Sequence, residues 1–420
     1  MLRLGEVCSK VGSGATPRGG RDVYLAHGVA LIRSQNVHND GFRSDGLAFI
    51  SDEHARQLSN VEVHAEDVLL NITGDSVARC CLAPNDILPA RVNQHVAIIR
   101  PDANRLDPRY LHYFLISPVK QAEMLVMAGG GGTRNALTKG MIEEFAIPAP
   151  EIAEQRAIAD VLGSLDEKIT QNRRTSRALE RLARAIFHAW FVKFEPVKAK
   201  AAGAKEFPSM SQETFDALPS DLIESEFGPI PKDVTPSPLA TVATLTMGQS
   251  PPSQFYNEIG EGLPFHQGVT DFGFRFPTHR VYCTAEGRLA EAGDILLSVR
   301  APVGRINVAD RQLVLGRGLA GLRQNNDQQS YLLYLLRHVF AEEDSMGEGT
   351  VYKGVNKAFL LDMDIVVPPA GIRTAFETTV APLDELILRT EQATTVLAKM
   401  RQELLPRLLS GEVRVEVSHG

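Results

Sequence analysis

Two long stretches of the chain place apolar residues at alternating three- and four-residue spacing. In the first, Leu162, Leu165, Ile169, Leu179, Ala183, Ile186 and Trp190 fall on one seam; in the second, Val380, Leu383, Ile387, Leu397, Leu404 and Leu408 do the same. Such spacing predicts a long helix over 151–196 and another over 371–411. Polar residues interrupt both seams at matching places, Asn172 and Ser176 in one and Thr390 and Thr394 in the other. Pro406 is expected to kink or end the second helix. An apolar stripe of this length cannot face water, and the economical solution is for the two helices to pack as an antiparallel coiled coil.

Outside the seams the pattern changes to short runs rich in branched residues and bounded by Gly, Pro or Asp. Val68–Ile72, His95–Ile99, Asp294–Val299 and Asp364–Pro368 read as strands of a mixed sheet. Tyr110–Leu115 and Tyr331–Leu336 carry apolar residues on helical spacing and are expected to cover that sheet, with their aromatics in the core. These pairs belong to an internal duplication with a period of roughly 220 residues, far longer than a solenoid repeat. Glu144-Phe-Ala-Ile-Pro148 aligns with Asp364-Ile-Val-Val-Pro368, and Leu165-Asp-Glu-Lys-Ile169 with Leu383-Asp-Glu-Leu-Ile387. Upstream, Val92–Ala97 parallels Leu315–Ala320, with different polar residues.

The expected fold is therefore α+β and pseudo-twofold: a domain of mixed sheet and helices over 1–150, its long helix, a linker and approach over 197–234, a second domain over 235–370, and its long helix. The Ala-, Lys- and Gly-rich segment from about Lys198 to Pro208 places the linker. Because each helix follows its own domain, antiparallel packing would set the domains at opposite ends. A helix of roughly 40 residues spans about 60 Å, longer than one turn of B-DNA at about 34 Å.

A chain of 420 residues is too long for one ordinary core, and 44% hydrophobic with 23% charged residues is ordinary for a globular protein. The net charge of −7 counts against gripping nucleic acid by bulk electrostatics, unless binding faces are locally basic or partners supply phosphate contacts. No apolar run approaches the roughly 20 residues of a membrane span, and the start lacks the apolar stretch of a signal peptide, so a cytoplasmic location is expected. Cys8, Cys80, Cys81 and Cys283 show no CxxC spacing and read as reduced and structural.

Signatures of catalysis are missing. No Asp or Asn followed by Pro-Pro and an aromatic occurs, as an adenine amino-methyltransferase would need, and no GxxxxGK[ST] phosphate loop. Gly12-Ser-Gly14 lacks a third glycine, and His27, His38, His54 and His64 show no metal-ligand spacing. Three readings stay open at this point: a non-catalytic reader of DNA, a coiled-coil spacer or adaptor that touches no DNA, and a stand-alone methyltransferase or nuclease.

Several stretches, considered together, separate these. They are Pro148-Ala-Pro-Glu-Ile-Ala-Glu-Gln-Arg-Ala-Ile158, Ala189-Trp-Phe-Val-Lys-Phe-Glu-Pro196, Glu224-Ser-Glu-Phe-Gly-Pro-Ile-Pro231, Gly248-Gln-Ser-Pro-Pro-Ser253 with Gly260-Glu-Gly-Leu-Pro-Phe265, and Leu405-Pro-Arg-Leu-Leu-Ser-Gly411. In these the chain resembles the specificity subunits of type I restriction-modification enzymes over nearly its whole length. The resemblance implies two target-recognition domains, each reading half of a split site in double-stranded DNA. It also implies two methyltransferase subunits as partners, with motor-nuclease subunits added in the restriction complex; S-adenosylmethionine, ATP and Mg would bind those partners, and no cofactor is expected here. One departure is Pro368-Pro-Ala-Gly-Ile-Arg373, which lacks the Glu-Gln of the usual pattern.

Reading bases requires paired donors and acceptors on exposed loops: Arg for guanine, Asn or Gln for adenine, with hydroxyls adaptable. In the first domain the candidates are Thr16, Arg18, Arg21, Arg33, Gln35, Asn36, Thr73, Arg134 and Asn135. In the second they are Gln249, Ser253, Gln254, Tyr256, Gln267, Arg300, Arg305 and Lys353. Arg33 and Arg300 could equally pair inside their own domains, and Tyr256 could simply pack.

Overall fold

The computed structural model describes residues 1–129, 135–225, 228–232, 234–345 and 355–416, so Arg134 and Lys353 lie outside the described residues. The chain forms two compact units, Met1–Gln171 with Ala393–Gly420, and Asn172–Gln392. The division passes through both long helices, so each unit owns a part of each.

In the first unit an antiparallel sheet orders Cys8–Ser13, Val96–Pro101, Val68–Asn71 and Cys80–Leu82. Alternate side chains serve two cores: Val68, Leu70 and Ile99 join Tyr110, Leu111 and Met124, while Leu69 and Ile98 join Val29–Ile32 on the other face. Burial on both sides explains why these strands are uninterrupted apolar runs rather than alternating ones. A second sheet, Ala48–Ile50, Val29–Ile32, Ala90–Val92 and Glu62–Val63, contains one parallel pair, Val29–Ile32 with Ala90–Val92.

The second unit repeats the plan. Ala243–Met247, Leu319–Gln324, Ile295–Ser298 and Ile306–Val308 form the antiparallel sheet, and Leu263–His266 runs parallel to Leu313–Leu315 in the other. The Leu137 N–H donates to the Ile72 carbonyl at 2.9 Å, and the Val355 N–H to the Val299 carbonyl at 2.9 Å.

The helices Pro108–Leu115 and Gln329–Ser345 cover these sheets. Their aromatics are core, as expected, and their hydroxyls do more: Tyr110 donates to the Pro148 carbonyl at 2.7 Å and Tyr331 to the Val366 carbonyl at 3.1 Å. One turn on, Tyr113 donates to Asp166 at 2.9 Å and Tyr334 to Asp384 at 2.8 Å. The repeated Leu-Asp-Glu motif is thus the receptor for a repeated tyrosine. Burial pushes the Tyr110 hydroxyl up to about 12, which keeps it a neutral donor.

The first long helix runs Ile152–Phe187 and closes in a π turn, His188–Val192; the second runs Ala370–Leu409. Within the first unit Leu162 shares a core with Leu405 and Leu408, and Arg401 pairs with Asp166 at 2.7 Å. Within the second, Ala183 and Phe187 meet Val380 and Phe376, with the two phenylalanine rings 5.8 Å apart. In both units a higher number on one helix meets a lower one on the other, which is antiparallel pairing. Leu162, Ile169, Val380 and Ile387 are buried, and Leu165, Leu179, Ile186, Leu383, Leu397 and Leu404 are partly covered.

The structure amends the sequence reading in three places. Pro406 does not end its helix, which continues to Leu409; the proline gives up its own N–H bond, but its carbonyl still accepts the Ser410 N–H at 3.0 Å. The segment 197–234 is not a bare linker: helices Glu195–Ala201 and Gln212–Asp216 and the hairpin of Leu222–Ser225 with Gly228–Pro231 enclose Phe194, Val197, Phe215, Leu218 and Ile230. The Lys200 ammonium ties it together through the carbonyls of Asp216 at 2.7 Å and Leu218 at 2.6 Å. The missing Glu-Gln is replaced by other groups. Gln155 takes the Asp107 N–H and donates to the Pro150 carbonyl, whereas in the second unit Glu377 takes the N–H groups of Ser330 and Tyr331, and Arg373 donates to the Pro368 carbonyl.

Candidate nucleic-acid interface

Turns following the buried strands form a cleft of about 900 Å³ in the first unit, lined by Ser34, Gln35, Thr73, Arg79, His95 and Asn135 among others. The strand Val68–Asn71 ends in a turn where Gly74 has φ of 75°, a conformation open to glycine, and the chain returns at Ala78 with φ of 73°. Asn71, fully buried, ties that strand to the neighbouring loop by donating to the Ser34 carbonyl at 2.8 Å. The cleft wall is therefore set by the core beneath it.

The structure brings Gln35, Thr73 and Asn135 together in this cleft. Thr73 and His95 share a hydrogen bond of 2.6 Å, the His95 ring meets the Gln94 amide at 3.3 Å, and Thr16 bonds the Gln94 carbonyl oxygen. A polar chain thus links Thr16 to Thr73 through two residues that sequence patterning missed. Arg18 is exposed on the Thr16 loop, and Arg21 lies in the short turn Gly20–Val23.

Two candidates turn inward. Asn36 is fully buried: its side chain accepts the Arg33 N–H at 3.0 Å and donates to the Arg43 carbonyl at 2.9 Å, so it shapes its loop and presents no edge to a base. Arg33 folds back to donate to the Gly46 carbonyl at 2.6 Å and lies 5.8 Å from the Tyr24 ring centre. Gln35 also reaches Gly46, at 3.1 Å, but stays exposed.

In the second unit Gln249, Ser253, Gln254, Gln267, Arg300 and Arg305 are exposed. Tyr256 instead packs, stacked on Phe265 with centroids 4.4 Å apart and its hydroxyl on the Pro251 carbonyl at 2.7 Å. It anchors the loop that carries Gln249 and Ser253. Arg305 lines a separate cleft of about 590 Å³ with Arg184, Arg337, Phe274 and Phe340. At the base of that cleft Glu180, almost fully buried, holds both Arg275 and Arg337.

Equivalent strand ends carry different polar groups, Thr73 in one unit and Arg300 in the other. Among the described residues no group of three or more His, Cys, Asp or Glu side chains is placed to hold a metal ion, and no helix is long and apolar enough to cross a membrane. The described residues thus form a duplicated scaffold under divergent exposed polar loops, with a pairing of long helices in each unit.

Residues 1–181 match the model of the type I restriction modification DNA specificity domain, and over most of its length the chain is similar to specificity subunits of type I restriction enzymes. It is 26% identical over 409 residues to the putative type I restriction enzyme MjaX specificity subunit of Methanocaldococcus jannaschii, covering 92% of this chain and 90% of that one. It is 22% identical over 434 residues to the type I restriction enzyme HindI specificity subunit of Haemophilus influenzae, covering 92% and 94%. In fold it is similar to the S subunit of the type I restriction-modification system of M. genitalium, with a TM-score of 0.63 at 14% identity over 97% of this chain and 95% of that one.

Proposed function

We propose that this subunit reads a two-part site in double-stranded DNA, one part by each unit, and catalyses nothing itself. Two methyltransferase subunits dock on it and bring S-adenosylmethionine; motor-nuclease subunits bring ATP and Mg for restriction. The observation that carries this reading is the pairing of a repeated buried framework with unrepeated exposed polar residues. Tyr113 with Asp166 matches Tyr334 with Asp384, while Thr16, Thr73 and His95 correspond through the duplication to Ser250, Arg300 and Gly318. In the first unit the readers are drawn from Thr16, Arg18, Gln35, Thr73, Arg79, His95 and Asn135; in the second, from Gln249, Ser253, Gln254, Gln267, Arg300 and Arg305.

The test is an exchange of residues 1–150 with those of a relative of different specificity, assembled with its methyltransferase subunits and assayed on a library of duplexes. One half-site should change and the other stay. A simultaneous change of both refutes the modular assignment. Absence of any gel shift by the assembled wild type would leave the adaptor reading, and methyl transfer by the purified chain alone would leave the enzyme reading.

A further inference from the structure

Gln267 is held in an unusual degree of constraint for an exposed glutamine. Its backbone runs against Gly316 and Gly318, where an added Cβ would lie 2.6 Å from the Gln267 Cα and 2.5 Å from its carbonyl oxygen. The Gly318 N–H donates to that carbonyl at 3.1 Å, and the Gly316 N–H to the preceding His266 carbonyl at 2.9 Å. His266 itself is buried and bonded to His279, which bonds Asp310.

The side chain is fixed as well. The Arg317 N–H, which can only donate, points at the Ser250 hydroxyl oxygen at 3.1 Å, and that hydroxyl donates to Gln267 Oε1 at 2.7 Å. The Ser250 hydroxyl, taking the Arg317 N–H on one lone pair, gives its own proton to the amide oxygen and so holds the Gln267 amide in place. The Gln267 Nε2 group is left with no partner among the described residues. Ser250 in turn sits on a stiff loop: Pro251 and Pro252 follow it, the Gln249 N–H bonds the Leu315 carbonyl at 2.9 Å, and Tyr256 bonds the Pro251 carbonyl.

A glutamine amide offers one donor and one acceptor side by side, which matches the N7 acceptor and N6 donor on the major-groove edge of adenine. Oε1 retains a lone pair beside the Ser250 bond, and Nε2 is open. Resting on the function proposed above, we infer that Gln267 reads an adenine in the half-site of the second unit, and that Ser250 is its positioning residue. Pre-orientation matters because a flexible glutamine spends part of each contact on ordering its own rotamers. The first unit uses the same device differently: Thr16, at the place of Ser250, holds the amide oxygen of Gln94, whose NH2 meets His95 instead of solvent.

The test uses the subunit assembled with its methyltransferase partners and a duplex library in which both half-sites are randomised, with bound molecules sequenced at two salt concentrations. For Gln267→Ala, adenine preference should fall about 5- to 150-fold at one position of one half-site, with every other position unchanged. Ser250→Ala should lower preference at that same position by less, Ser250→Thr should keep it, and neither should alter the salt dependence of binding. Unchanged preferences at the other positions of the same half-site show that the second unit of each variant is folded. If the wild type selects a bipartite site but Gln267→Ala keeps all its preferences, selects a base other than adenine there from the outset, or weakens every sequence equally as a phosphate contact would, the inference is overturned while the proposed function stands. If the wild type selects no bipartite site, both fall.

Discussion

Replacing Arg275 by Met should destabilise the second unit. The Arg275 side chain is 3% exposed; it binds the Glu180 carboxylate and the Tyr334 hydroxyl through Nη1, and Asp384 at 2.5 Å through Nη2. Methionine fills most of the volume but leaves two carboxylates short of a cation. Removing one partner of a buried ion pair costs about 3–5 kcal/mol, and the lower end applies here because Arg337 still holds Glu180 and Tyr334 still donates to Asp384. At about 2–4 °C per kcal/mol for a body of this size, a loss near 3 kcal/mol lowers Tm by about 6–12 °C. Scanning calorimetry gives the shift, and peptide-resolved hydrogen exchange shows where it falls: protection should drop in the second unit and persist in the first. Arg275→Lys, which keeps the charge but not the planar fork, should fall between. A Tm within 2 °C of wild type, or an equal loss of protection in both units, would refute the reasoning.

The remaining predictions concern packing, protons and the cleft. Leu162→Ala, at a fully buried position against Leu405 and Leu408, should cost the first unit about 2–5 kcal/mol by chemical denaturation. Burial and nearby cationic groups hold His112 and His266 down to about 4, so each is neutral when folded but binds a proton when unfolded below about 6.5. Between those values the unfolded state carries more protons, so stability falls as pH drops from about 6.5 toward 4, by up to about 3 kcal/mol for each histidine. Denaturation midpoints across that window should fall less steeply in His266→Gln, and an unchanged slope would contradict the assignment. Thr73→Val, which removes the hydroxyl bonded to His95, should change base preference in the half-site of the first unit alone, as read by methylation of the library.

Periodicity revealed the seams because burial on defined faces is a pattern visible along one dimension. Tyr110 and Tyr331 were legible for that reason, whereas Val68–Asn71 and Ile295–Ser298, buried on both faces, showed instead as short unbroken apolar runs. The direction of a polar side chain leaves no such trace. Asn36 and Tyr256 have the composition of readers yet serve their own loops, and nothing in their neighbours along the chain distinguishes them from Gln35 or Gln267. Gln94, His95 and Ser250 escaped notice because they lie in tight turns beside strands; aligning Thr16 with Ser250 through the duplication was the available signal. The segment 197–234 misled by composition, since its Ala and Lys surround a few decisive apolar residues, Val197, Phe215 and Ile230 among them.

The core of the first unit includes Leu405 and Leu408, with Leu404, Val413 and Val415 packed against it. On a ribosome adding about 5–20 residues per second, those side chains arrive some 10–50 s after Leu162 has been made. During that interval the nascent domain shows an open apolar face to chaperones, proteases and other chains. A message truncated within the second unit would leave that face permanently uncovered, so that the cell would detect the error in the first-made domain rather than at the break.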